Sequence, residues 1–101
     1  MIHSMAWIEK HCIPFVTYDN DFQIWKQKNG EEYWAYNEDE EKFIAVKLIA
    51  RETFSVDVDD DILYTKYDNA WCGEVDNSWT INEDGTETFD YAWFDIIEED
   101  N

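Results

Sequence analysis

Apolar and polar residues alternate in short runs along this chain, and the clearest of these runs lies between residues 22 and 36. Phe22-Gln23-Ile24-Trp25-Lys26-Gln27-Lys28 precedes Asn29-Gly30, and Glu31-Glu32-Tyr33-Trp34-Ala35-Tyr36 follows it. Two alternating runs around an Asn-Gly pair predict a β-hairpin closed by a two-residue type I′ turn. Counting back from the turn, Lys28 faces Glu31, Trp25 faces Trp34 and Ile24 faces Ala35. The tryptophan pair falls at a non-hydrogen-bonded position, where side chains approach most closely. Trp25, Trp34 and Tyr36 share one face, with Phe22 and Tyr33 on the other. A type I′ turn places Gly30 at positive φ, so valine there is expected to destabilise the fold.

A second hairpin is nearly as clear. Asn82-Glu83-Asp84-Gly85 suits a type I turn followed by a left-handed glycine. This register sets Trp79 opposite Phe89 and Thr80 opposite Thr88, and puts Phe89, Tyr91 and Trp93 on one face with Asp90 on the other. Residues 4–12 predict a short helix capped by Ser4, with Met5, Ile8 and Cys12 on one side and Pro14 ending it. Phe54, Val56 and Val58 alternate with polar residues and read as a strand. Two segments fit either a helix or a strand. Residues 43–50 alternate yet follow an acidic run that suits a helix start. Residues 60–72 have helical periodicity and strand-prone residues together. The pattern predicts an α+β fold dominated by an antiparallel sheet, with one or two short helices.

Composition changes the picture in two ways. The length of 101 residues fits a single domain spanning residues 1–101. Aromatic residues make up 18% of the chain, which supplies a core and argues against disorder despite the charge. The second change is the charge itself: 25 acids against 7 bases, a formal net charge of −18. Spread over the roughly 6,000 Å² that a folded protein of this mass exposes, that is about one net negative per 330 Å². B-DNA, taken as a cylinder roughly 20 Å wide, carries about one per 100 Å². Gathering most acids on a third of the surface nearly closes the gap.

Catalytic and cofactor signatures are absent from the sequence. It has no glycine-rich phosphate loop, no Gly-x-Ser-x-Gly elbow and no Cys-x-x-Cys. His3, His11, Cys12 and Cys72 match no zinc-ligand spacing. Asp57, Asp59 and Asp61 imitate the start of a calcium loop, but Ile62 stands where the sharp turn needs glycine and Asp68 where a bidentate Glu is usual. The expectation is a protein that is not an enzyme and uses neither metal nor cofactor. The first residues form no export signal, the cysteines are isolated, and no apolar run could span a bilayer. A cytoplasmic protein with reduced thiols is expected, whether in its own cell or in an infected host.

The acids come in runs: Glu38, Asp39, Glu40 and Glu41; Asp57 with Asp59, Asp60 and Asp61; Glu83, Asp84, Glu87 and Asp90; Asp95 with Glu98 and Glu99. Several flank strands or turns, where a rigid scaffold would hold them at fixed spacing as a sugar frame holds phosphates. Charge steers association, while tight binding needs desolvated anchors, and Trp25, Trp34 and Tyr36 are the candidate anchors. The combination resembles, in strategy, the acidic DNA-mimic inhibitors that phages direct against host nucleases, including anti-CRISPR, anti-restriction and uracil-glycosylase-inhibiting proteins. It also resembles the acidic immunity proteins that neutralise nuclease toxins. The resemblance implies a basic nucleic-acid-binding partner, no direct binding to nucleic acid or membrane, and a monomer or small homo-oligomer. A carbohydrate-binding module would need rings aligned on an exposed face, and nothing in that role calls for so large a charge. Salt adaptation could also produce acidity, but six lysines and so many bulky aromatics do not suggest it.

Overall fold

The computed structural model describes residues 2–17, 23–37, 41–67 and 70–97. Among them are eight strands and two short helices, an antiparallel, mostly β arrangement of the α+β kind. The chain divides into two compact units.

The first unit comprises residues 1–47 and 96–101. Its described elements are β1 (Ile2–His3), α1 (Met5–His11), β2 (Cys12–Val16), β3 (Ile24–Gln27), β4 (Tyr33–Asn37) and the first part of β5 (Lys42–Ser55). They pair antiparallel in the order β2-β3-β4-β5-β1. The predicted pairs are there, with Trp25 opposite Trp34 and Ile24 opposite Ala35, but the Gln27–Glu32 and Gln23–Tyr36 backbone bonds put the tryptophans at a hydrogen-bonded position rather than the expected non-hydrogen-bonded one. The turn of this hairpin is different too. Gln27 N–H donates to the Glu32 carbonyl at 2.9 Å, and residues 28–31 bridge the strands without a positive φ at Asn29 or Gly30. The strand pattern fixes the register, whereas a four-residue connection removes the need for left-handed residues. Valine at Gly30 would therefore not be forced into positive φ.

Ser4 begins α1 as expected, its hydroxyl accepting from Trp7 N–H at 3.4 Å and its carbonyl from Ile8 N–H at 3.1 Å. The helix ends at His11, before Pro14 can stop it, because Cys12 is already extended. Pro14 instead sits inside β2, at one end of the strand order, beside a register shift between Pro14 and Val16. An edge strand tolerates the missing N–H that a central strand would not. Of the three residues expected on one side of the helix, Ile8 is buried in α1, Cys12 is buried at the start of β2, and Met5 is exposed. Ile8 and Cys12 form a buried cluster with Trp34 and Phe43, against which Trp7, Trp25, Tyr36 and Ala45 pack.

The second unit spans residues 48–95. It contains the rest of β5, α2 (Asp60–Thr65), β6 (Trp71–Glu74), β7 (Thr80–Ile81) and most of β8 (Glu87–Ile96). β8 lies between β5 and β6, and β7 also pairs with β8. The second hairpin matches the prediction in register and turn: Thr80 lies opposite Thr88, and Gly85 has φ +87°. Both ambiguous segments resolve. Residues 43–50 are strand, and residues 60–72 divide between α2 and the start of β6. The strand predicted through Val58 stops at Ser55, and Val56 and Asp57 turn the chain toward α2. Leu63 projects from α2 onto Phe89, Tyr91 and Trp93, the predicted face of β8. The Trp93 indole is tied to α2 by donation to the Leu63 carbonyl at 2.9 Å.

Candidate functional site

The exposed acids of the second unit stand on two local devices. Asp59 caps α2 by accepting from Asp61 N–H at 2.9 Å, and Asp60 and Asp61 lie in the first turn, where negative charge suits the helix end. With Asp57 they form an exposed run. At the β7–β8 turn, Asp84 accepts from the Thr86 hydroxyl at 2.6 Å and from its N–H at 3.0 Å. The Thr86 hydroxyl, then its N–H, holds the Asp84 carboxyl below the usual range. Asn82 fastens the same turn through its amide to Thr86 and Thr88, both at 2.9 Å. Glu83 and Asp84 are thus exposed from a turn held by side-chain hydrogen bonds.

Asp90 and Asp95 are less open. Both are half-buried, as is Glu87. Asp90 accepts from the Thr53 hydroxyl at 2.7 Å and from Arg51 Nε and Nη2, each at 2.8 Å. Thr53 foremost, and Arg51 after it, lower the Asp90 carboxyl despite partial burial. Lys66 pairs with Glu52 and lies 5.5 Å from the Trp93 ring centroid. Glu74, which the sequence did not single out, is half-buried; burial first and Asp60 second push its carboxyl up.

These contacts settle the local charge. Residues 48–95 contain thirteen acids and two bases, Arg51 and Lys66, for a net −11. Both bases are already held by acids of the same unit. Residues 1–47 and 96–101 carry twelve acids and five bases, for a net −7. The charge is therefore concentrated in the second unit.

The predicted anchors lie in the first unit and are not open platforms. Trp34 is 4% exposed and belongs to the core; β4 places it beneath α1, edge-on to His3 and Trp7. Its indole N–H is buried without a hydrogen-bond partner among the described residues. Trp25 is half-buried, donating to the Gln23 side chain at 3.1 Å, and Tyr36 leans on Phe43. Glu41, exposed, turns into β5 at φ 54°. Glu38, Asp39, Glu40, Glu98 and Glu99 lie outside the described residues, as does Phe22.

One exposed ring was paired by the sequence pattern but not offered as an anchor. Trp79 is 46% exposed and stacks on Phe89 at 4.9 Å with the planes 10° apart. Ile81, two residues on in β7, is still more exposed. The signal was present in the hairpin register, which already set Trp79 over Phe89. What it lacked was any indication that the outer ring is left nearly half exposed.

Compared with known proteins, the chain matches no family, no curated sequence and no solved structure. Among the described residues no group of three or more His, Cys, Asp or Glu could hold a metal ion, and no helix is long and apolar enough to cross a membrane.

Proposed function

We propose that this protein inhibits a nuclease or other nucleic-acid enzyme by occupying its basic binding site in place of DNA or RNA. The observation that carries this reading is the charge of residues 48–95: net −11, with Arg51 and Lys66 both held in ion pairs. That unit presents acids at a capped helix start and at a cross-tied turn, so the ordering cost of holding them is largely met before binding. Asp57, Asp59, Asp60, Asp61, Glu83 and Asp84 stand in for phosphates, and Trp79 is the anchor. A half-exposed ring already fixed by stacking loses little rotamer freedom when a partner covers it. The same charge disfavours direct binding to nucleic acid.

The test is competition. A complex with a basic nuclease, recovered from host lysate by affinity capture and salt elution, is titrated with labelled nucleic acid. Mutual exclusion, with affinity falling as salt rises, is the expected result. A partner that binds both together without loss of affinity overturns the proposal.

A further inference from the structure

The first unit contains a cavity of about 530 Å³, open to solvent, that the proposed inhibition does not use. Its volume lies in the range of pockets that take small molecules. Trp7 and Trp34 supply aromatic wall, His3 a further ring, and Gln27 and Glu32 the polar groups. His3 stacks on Trp7 at 3.5 Å, nearly parallel, and meets Trp34 edge-on at 4.5 Å, so these walls are mutually braced.

We infer that this pocket binds a planar organic cation, such as an amidinium or guanidinium attached to a small apolar body. Three features select that class. Aromatic rings attract cations through their negative faces, more strongly where water is excluded. Glu32 places a carboxylate on the same lining, and a neutral ligand covering it would desolvate the charge without compensation. An anion would meet both that carboxylate and a chain of net charge −18. Burial first, then the N-terminal ammonium and His11, lower the affinity of His3 for a proton, against the pull of Glu32. Glu32 is exposed, so an entering ligand reaches it without opening the core.

The experiment uses the isolated protein and three isosteres: benzamidine, a cation; benzamide, neutral; and benzoate, an anion. Binding is followed at physiological ionic strength by the indole N–H signals in NMR spectra. Benzamidine is expected to shift the Trp7 and Trp34 signals saturably, benzamide to bind about tenfold more weakly, and benzoate not at all. Glu32→Gln is expected to reduce that tenfold preference to the smaller part the rings supply, while leaving benzamide binding unchanged. Trp7→Leu is expected to weaken both ligands in protein whose spectrum remains folded. Shifts confined to acidic segments such as residues 57–61 and 83–84, without saturable indole changes, would mean counterion attraction alone and overturn the inference. So would a Glu32→Gln protein that keeps the full tenfold preference for the cation. No nuclease takes part, so the result is independent of whether the chain mimics nucleic acid.

Discussion

Two glycines at two hairpin turns give a test with opposite expected signs. Gly85 closes the β7–β8 turn at φ +87°, with its N–H donating to the Asn82 carbonyl at 3.0 Å. A left-handed conformation costs a residue with a Cβ about 1–2 kcal/mol. Alanine also narrows the unfolded ensemble, which returns about 0.4–1 kcal/mol. No atom lies within 4 Å of the added Cβ, so no clash contributes. Gly85→Ala is therefore expected to destabilise by about 0.5–1 kcal/mol. Gly30 lacks the positive φ, and its added Cβ meets Gln27 Oε1 at 2.8 Å, the far end of a flexible side chain that can rotate away. There the unfolded-state gain survives, and Gly30→Ala is expected to be neutral or stabilising by up to about 0.5 kcal/mol. Urea denaturation followed by tryptophan fluorescence measures both. Each kcal/mol corresponds to a melting shift of about 4–8 °C in a domain of this size. If Gly30→Ala costs as much as Gly85→Ala, the first turn is left-handed and the described connection is wrong.

Three further outcomes follow from the charged groups and from Trp79. The Asp90 carboxyl is held low by Thr53 and Arg51, so it contributes stability above its unfolded value of about 3.9 that is lost as pH falls through the lower folded value. Asp90→Asn should flatten that acid limb in urea titrations between about pH 2 and 5; an unchanged limb refutes the pairing. Glu74 has the opposite sign: its raised carboxyl stabilises the fold at low pH, and this is lost as pH rises through the folded value. Glu74→Gln should raise the melting temperature at pH 7 and leave it unchanged in acid, where the wild-type group is already protonated. On the functional side, Trp79→Ala should speed dissociation from the partner by about 2 kcal/mol or more if the ring is a hot spot. Changing Asp57, Asp59, Asp60 and Asp61 to Asn should mainly slow association. Surface plasmon resonance separates the two rates, and equal effects on both would contradict the division between steering acids and anchoring ring.

Local chemistry made much of this fold legible. Trp25 opposite Trp34 and Thr80 opposite Thr88 follow from alternation and turn residues a few positions apart, and Ser4 marks its helix by its own side chain. The first turn departs from expectation because Asn-Gly favours but does not compel the left-handed form. Residues 60–72 were ambiguous because they hold both answers: Asp59 starts a helix that ends at Thr65, and Trp71 begins a strand. The candidate site was less legible, for a physical reason. Whether a ring is covered depends on what folds over it, and α1 buries Trp34 from thirty positions away while Trp79 stays open. Likewise, Asp90 looks like any exposed acid until Arg51 and Thr53, nearly forty residues earlier, are set beside it.

Pro14 has a further consequence at the level of the purified sample. An outermost strand offers unpaired backbone groups on which another chain can extend the sheet, the usual seed of fibrils. Proline within β2, and the irregularity between Pro14 and Val16, deny an incoming strand a continuous ladder along that margin. A protein so rich in tryptophan and isoleucine is thereby shielded on that flank from self-templating, and concentrated solutions should remain clear on storage. Replacing Pro14 with valine would restore the missing donor and favour a smoother ladder, with growth of thioflavin-positive aggregates as the sign that this flank had been left unguarded.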